Sequence, residues 1–198
     1  MNIQSTYSDK EKAIFESALR LFDEFGIQAA PMSKIASEAQ VATGTVYHYF
    51  ASKEELILAL FQYCRVSTDQ AVIANDDETH SYEIRFHNVW HNLVNYYIRH
   101  PHIMSFLNQF YSSPYGKLIS EAKICFQSEI MNFLKTGITG NQIKKLDLNI
   151  LSVALIGTAM NLAQRQTLSK CCDQPGWRFG KKALESMAYI LWDGIKKS

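Results

Sequence analysis

Between Met32 and Leu56 the chain reads MSKIASEAQVATGTVYHYFASKEEL, two apolar patterns of helical period on either side of a tight turn. Ile35, Ala36 and Ala39 share one face of the first pattern, and Val46, Tyr47 and Phe50 recur at helical spacing in the second, so the two segments can close a small core around Val41. The small side chains of Ala36 and Ala39 permit close helix contact. Neither segment reaches the roughly 12 residues below which an isolated helix is marginal in water, so both need a platform. Phe15, Ala18, Leu19 and Phe22 of a preceding helix supply it. That helix opens with the capping box Ser8-Asp9-Lys10-Glu11 and stops at Phe25-Gly26, glycine being suited to the left-handed position after a helix end. Ser52-Lys53-Glu54-Glu55 repeats the capping device and starts a fourth helix directly after Phe50-Ala51. The layout is a helix-turn-helix resting on an earlier helix.

The residues that carry this layout resemble, in order and spacing, the N-terminal signature of the tetracycline-repressor (TetR) family: Ile35-Ala36, Ala39, Val41, Gly44-Thr45-Val46-Tyr47, Phe50 and Lys53-Glu54-Glu55-Leu56. The match covers about the first third of the chain, and the remainder agrees only in layout. The resemblance implies an all-α protein of about nine helices. Residues 1–52 are then a helix-turn-helix DNA-binding domain and residues 53–198 an effector-binding and dimerisation domain. On the recognition helix, about Thr43 to Phe50, the groove-facing candidates are Thr43, Gly44, Thr45, Tyr47 and His48. Gly44 lets backbone approach DNA closely, and threonine hydroxyls and methyls suit base edges and thymine methyl groups. Tyr47 corresponds to a family tyrosine that hydrogen-bonds phosphate, and Lys53 to a phosphate-contacting lysine; packing of the Tyr47 ring on the fourth helix is compatible with that role. His48 reads equally as a base contact or as exposed surface. Two positions depart from the family pattern. Gln40 stands where a turn glycine is usual, which calls for a positive φ at a cost of roughly 1 kcal/mol. Pro31-Met32 stand where threonine is usual, which removes a side-chain cap from the second helix while leaving a residue tolerated in a first turn.

Charge limits how such a headpiece can hold DNA. The net charge is +1, and residues 1–65 carry six Lys/Arg against eight Asp/Glu. Indiscriminate binding of nucleic acid needs a basic face, so phosphate contacts here must be few and local. Ser33, Lys34 and Lys53 are the candidates, with Lys10 and Lys12 read either as further contacts or as solvated surface charge. The four cysteines, at positions 64, 125, 171 and 172, form no CxxC spacing and read as reduced, small hydrophobes. No apolar run approaches the roughly 18 residues of a bilayer span and the N-terminus lacks a secretory apolar stretch, so a cytoplasmic protein without membrane partners is expected.

Beyond Leu56 only helical patterning appears. The fourth helix runs to about Ile73, a fifth from about Ser81 to Arg99, and a sixth from Pro101 to about Tyr111. After Ser112-Ser113-Pro114 a long helix is expected to Lys135, with a turn at Gly137 and Gly140. An eighth helix spans about Asp147 to Ser169, and a ninth follows a Cys171 to Gly176 loop and ends at Ile195. In the resembling family the fourth to seventh helices enclose an effector pocket. Tyr63, Trp90, Tyr97, Phe110 and Phe126 are the candidate ligand residues, favouring an apolar or aromatic effector; each aromatic also reads as ordinary core. Glu83, His87 and His91 follow one another at i, i+4 and i+8 and are either a divalent-metal stack or the polar flank of a buried helix. No fourth ligand, nucleophile–base pair or phosphate-cradling glycine loop accompanies them, so no catalytic residue, metal or cofactor is assigned. Leu148, Leu151, Leu155 and Leu162 form a stripe beside Ala154, Gly157 and Thr158, and Leu184, Met187, Leu191 and Ile195 line the last helix. The resemblance implies that these two helices pair with those of a second copy in a four-helix bundle, the alternative being monomer core. The resulting expectation is a homodimeric DNA-binding regulator, a repressor released from a palindromic operator by a small molecule. The alternative is a helical small-molecule- or metal-binding enzyme with a vestigial headpiece.

Overall fold

A computed structural model describes residues 7–117, 128–172 and 180–197, with side chains described except at 168–172. Among these residues the regular structure is helical: α1 (Asp9–Phe25), α2 (Met32–Glu38), α3 (Thr43–Tyr49), α4 (Lys53–Ile73), α5 (Tyr82–Arg99), α6 (Pro101–Ser112), α7 (Glu129–Thr139), α8 (Leu148–Cys172) and α9 (Lys181–Ile195), with a 3-10 turn at Pro114–Gly116. No described helix is long and apolar enough to cross a membrane. The chain divides into two compact units, Met1–Ser67 with His102–Cys125, and Thr68–Pro101 with Phe126–Ser198.

In the first unit the capping box at Ser8 forms as its residues require: Ser8 Oγ accepts from the Glu11 amide at 3.3 Å and Glu11 Oε2 accepts from the Ser8 amide at 2.8 Å. Phe15, Ala18, Leu19 and Phe22 of α1 are buried together with Ile35, Ala36, Ala39, Val46 and Phe50. Burying a side chain the size of phenylalanine contributes about 1.5–3 kcal/mol, which two seven-residue helices do not obtain by themselves. Val46 and Phe50 point inward, but Tyr47 does not share their face. One position from Val46 is a rotation of about 100°, and the Tyr47 ring stays 50% exposed. Gln40 takes φ +55, and Pro31 caps α2 with no side-chain hydrogen bond, as the two departures from the family pattern call for.

The division expected at residue 52 falls within the first of these units. The first unit continues along α4 to Ser67 and takes in α6, because α6 presents apolar residues to both α1 and α4. Phe106 stacks on Phe22 at 5.9 Å and Phe110 on Phe61 at 4.1 Å, ring centre to ring centre.

The second unit is organised by the packing of α5 on α8, its largest helix contact. Asn92 holds the end of α4 by donating to Val72 O and Ala74 O, and Arg85 makes a two-pronged contact with Asp76 at 2.7 and 2.8 Å, which ties the preceding loop to α5. The long helix expected up to Lys135 is corrected. Ser128 has extended backbone, φ −106 and ψ 125, and caps a new helix, α7, by accepting from the Met131 amide; its hydroxyl also donates to the buried Asp69 carboxylate at 3.2 Å. Gly137 is likewise a helix residue, not a turn. Tyr82 stacks on Phe133 and donates its hydroxyl to Phe133 O, and any side chain at position 137 would overlap the Tyr82 ring. The helix ends at Gly140, and Asn141 takes the positive φ that follows.

Candidate nucleic-acid interface

The outward surface of α2 and α3 carries the residues singled out for DNA contact. Ser33, Lys34, Thr43, Gly44, Tyr47 and His48 are exposed and Thr45 is half-buried. Gly44 has no neighbour within 4 Å of where a Cβ would lie, so its lack of a side chain serves nothing inside the protein and leaves open backbone on the outer face. Lys34 Nζ sits 3.5 Å from the centre of the Phe25 ring, a cation–π contact that orients the lysine along the edge of this surface.

Lys53 is placed differently from a free surface lysine. Its ammonium donates to Gln28 O at 2.8 Å and Ala30 O at 2.7 Å, bracing the turn between α1 and α2. Partial burial pulls its proton affinity below the usual lysine value, and the neighbouring Glu54 opposes that shift. An ammonium has three N–H bonds, and these two carbonyls take two of them. A residue that sequence reasoning missed completes the same turn. Gln109 of α6 accepts from the Ile27 amide at 3.1 Å and donates to Phe22 O at 3.0 Å. No periodicity could have revealed it, because its partners lie 82 and 87 residues away.

Of the candidate ligand residues, Trp90, Tyr97 and Phe110 are packed as core. Trp90 and Phe110 are fully covered and Tyr97 nearly so. The Trp90 indole N–H donates to Thr158 Oγ1 at 3.4 Å, while the half-buried Tyr63 meets Tyr7 edge-on and Phe15 at a tilt among the aromatics of the first unit. Phe126 lies outside the described residues. The metal reading of Glu83, His87 and His91 gains nothing from the geometry. Among the described residues no group of three His, Cys, Asp or Glu could hold an ion, and the His87 ring instead meets Tyr189 edge-on at 4.6 Å. Cys64 is buried and in no disulfide, and burial pushes its thiol up, which favours the protonated form.

The residues expected at the dimer seam on α8 divide: Thr158 and Leu162 help to line an open groove, and Leu151 and Leu155 do not. Leu151, Leu155 and Leu162 are buried within the chain itself, Leu155 being 2% exposed. The outward face of α8 is instead that of Ile150, Val153 and Gly157, with Val153 70% exposed, and Ile190 on α9 is 64% exposed. Helix α8 is apolar on both faces, so spacing alone did not distinguish inward from outward. A groove of about 470 Å³ lies here, lined by Val153, Gly157, Thr158, Asn161, Leu162, Arg165 and Met187. Leu184, Leu191 and Ile195 of α9 are half-buried.

A capped platform helix, a two-helix reader with its polar and open-backbone residues outward, and a separate helical unit define a one-chain DNA-binding regulator. The similarities to known proteins agree. Residues 14–60 match the family described as bacterial regulatory proteins, tetR family, and residues 81–196 match the tetracyclin repressor-like C-terminal domain. An HTH-type transcriptional regulator of Haemophilus influenzae is 32% identical over 198 residues, covering 96% of this chain and 97% of that one. Among solved structures, a TetR-family transcriptional regulator from Haemophilus influenzae superposes with a TM-score of 0.81 at 27% identity over 96% of this chain and 97% of its own. A TetR-family regulator from Marinobacter aquaeolei, 20% identical with a TM-score of 0.78 over the whole of both chains, shares the fold. The chain belongs to the TetR family of transcriptional regulators. Because the second half matches the family's own C-terminal domain, the alternative of an enzyme with a vestigial headpiece has no support.

Proposed function

We propose that this regulator is a repressor that binds a near-palindromic operator as a homodimer and leaves it when a small, apolar or aromatic effector binds. The observation that carries the DNA-reading part is the α2–α3 surface, where Gly44 is open backbone and Thr43, Tyr47 and His48 are exposed over a core that buries Ile35, Ala36 and Val46. Thr43, Gly44, Thr45 and His48 read base edges; Ser33, Lys34, Tyr47 and the remaining N–H of Lys53 hold phosphates. Few positive charges supply this surface, which favours a specific operator over general affinity for DNA.

The homodimer is supported by the exposed apolar residues Ile150, Val153, Tyr189 and Ile190 on α8 and α9, beside the groove that Thr158, Leu162 and Met187 help to line. Apolar helix faces of this kind are covered in a stable molecule, and a second copy of the same two helices supplies a matching face. The effector works by binding a conformation other than the operator-bound one more tightly. Selection of duplexes from a random-sequence pool by the purified protein, followed by footprinting, tests the reading. The expected product is a two-fold-symmetric site whose half-sites lie about 34–36 Å apart or a multiple of it. A single asymmetric half-site would contradict it.

A further inference from the structure

The turn that joins α1 to α2 is gripped from two directions. Helix α1 ends at Gly26, with φ +82, and the Gly26 amide donates to Phe22 O at 3.0 Å. On one side Lys53 of α4 holds Gln28 O and Ala30 O. On the other, Gln109 of α6 donates Nε2–H to Phe22 O at 3.0 Å and to Ser105 Oγ at 3.3 Å, while its Oε1 accepts from the Ile27 amide at 3.1 Å. The side-chain amide thus extends the hydrogen bonding of α1 beyond its last turn, adding a second donor to the Phe22 carbonyl already held by Gly26 and satisfying the Ile27 N–H that a helix end otherwise leaves to water. A primary amide offers a donor and an acceptor together at this reach, whereas a carboxylate cannot donate and an aliphatic chain can do neither.

Helix α6 is aligned for this. His102, Phe106 and Gln109 follow at i, i+4 and i+7, one face of the helix. His102 Nδ1 lies 2.8 Å from Asp23 Oδ2, and Phe106 stacks on Phe22. Gln109 is therefore delivered to the point where α1 stops. Beyond it only the short segment to Pro31 separates α1 from α2, and α2 and α3 have seven residues each, too few to hold an orientation of their own.

We propose that Gln109 is a positioning residue for DNA reading: by fixing the α1–α2 turn from α6, it sets the angle at which α2 and the recognition helix α3 meet the major groove. Base-edge hydrogen bonds tolerate little displacement, whereas phosphate contacts hold protein to DNA without regard to sequence. A loosened turn consequently costs specific binding and spares general affinity. The inference rests on the DNA-binding function of the family and not on repression, effector or dimer geometry.

Two variants test it, each studied where circular dichroism shows it fully folded. The specific probe is the duplex that the wild-type protein selects from a random pool, and the control is a scrambled duplex of equal length. Gln109→Leu removes both polar atoms at similar size, and Gln109→Glu keeps the acceptor for Ile27 and loses the donor. For Gln109→Leu, affinity for the selected duplex should fall about tenfold or more while that for the scrambled duplex changes less than about twofold, with the salt slope unaltered. Hydrogen exchange at the Ile27 amide should quicken, and Gln109→Glu should fall between Gln109→Leu and wild type. Three results would overturn the proposal: selected-duplex binding within about twofold of wild type in both variants, an equal loss on both duplexes, or a salt slope lowered by about one, which would make Gln109 a phosphate contact.

Discussion

Lys53 has three N–H bonds to donate, and two are committed to carbonyls of the α1–α2 turn. Its replacement by methionine should therefore have two separable effects. The melting temperature should drop as the turn loses its brace, and the dependence of operator affinity on salt should flatten by about one unit as one phosphate contact disappears. An unaltered slope would confine the residue to bracing. Trp90 is a packed core residue whose N–H is satisfied by Thr158, so Trp90→Ala should cost roughly 3–5 kcal/mol in chemical denaturation. A change of under about 1 kcal/mol would return it to the list of ligand-wall candidates. Burial holds the His91 imidazole below the usual histidine value, with His87 and Lys181 pushing the same way and Glu185 opposing. Its neutral form is thus favoured by folding. The stability it contributes is complete above about pH 6.5 and is lost as the pH falls from there through the lowered folded value. His100, also lowered by burial and by Arg99, acts in the same direction. His91→Gln should accordingly lessen, though not abolish, the fall in melting temperature between about pH 7 and pH 5. A profile parallel to wild type would remove His91 from the acid response.

At the scale of elements, α8 shows what periodicity leaves open. Val153 and Leu155 are two positions apart on one apolar helix, yet one faces out and the other in. Glutamate at each should separate the two surfaces. Leu155→Glu places a charge in the core and should unfold the chain or destabilise it by several kcal/mol, whereas Val153→Glu should leave a folded protein that sediments as a monomer and binds operator weakly. A Val153→Glu dimer as tight as wild type would move the homodimer contact off this face. Helix α7 carries a similar lesson. Gly137 resembles a turn residue in the sequence, but it sits within a helix because the Tyr82 ring, anchored by its bond to Phe133 O, occupies the space of a side chain.

For the whole molecule the proposed switch obeys a reciprocity that needs no detail of the moving parts. An effector that weakens operator binding by a given factor must itself bind more weakly, by that factor, once operator is present, and couplings of this type amount to about 1–3 kcal/mol. Titration of the effector by calorimetry with and without the selected duplex measures both sides. Equal affinities would leave a DNA-binding protein without an inducer. Local pattern alone determined that the chain is helical and that Phe15, Phe22, Ile35, Ala36, Val46 and Phe50 form the headpiece core, because caps and 3.6-residue spacing act over a few neighbouring positions. The resemblance of the same stretch to the TetR signature marked Ser33, Lys34, Thr43, Gly44, Thr45 and His48, which lie off the buried face of α2 and α3. Tertiary structure alone decided that α6 belongs with the headpiece, that Lys53 and Gln109 clamp one turn, and that α8 turns Leu155 inward and Val153 outward. Those choices depend on groups brought together across tens of residues, or on selecting between two apolar faces of equal hydrophobic merit, and no local signal distinguishes the outcomes.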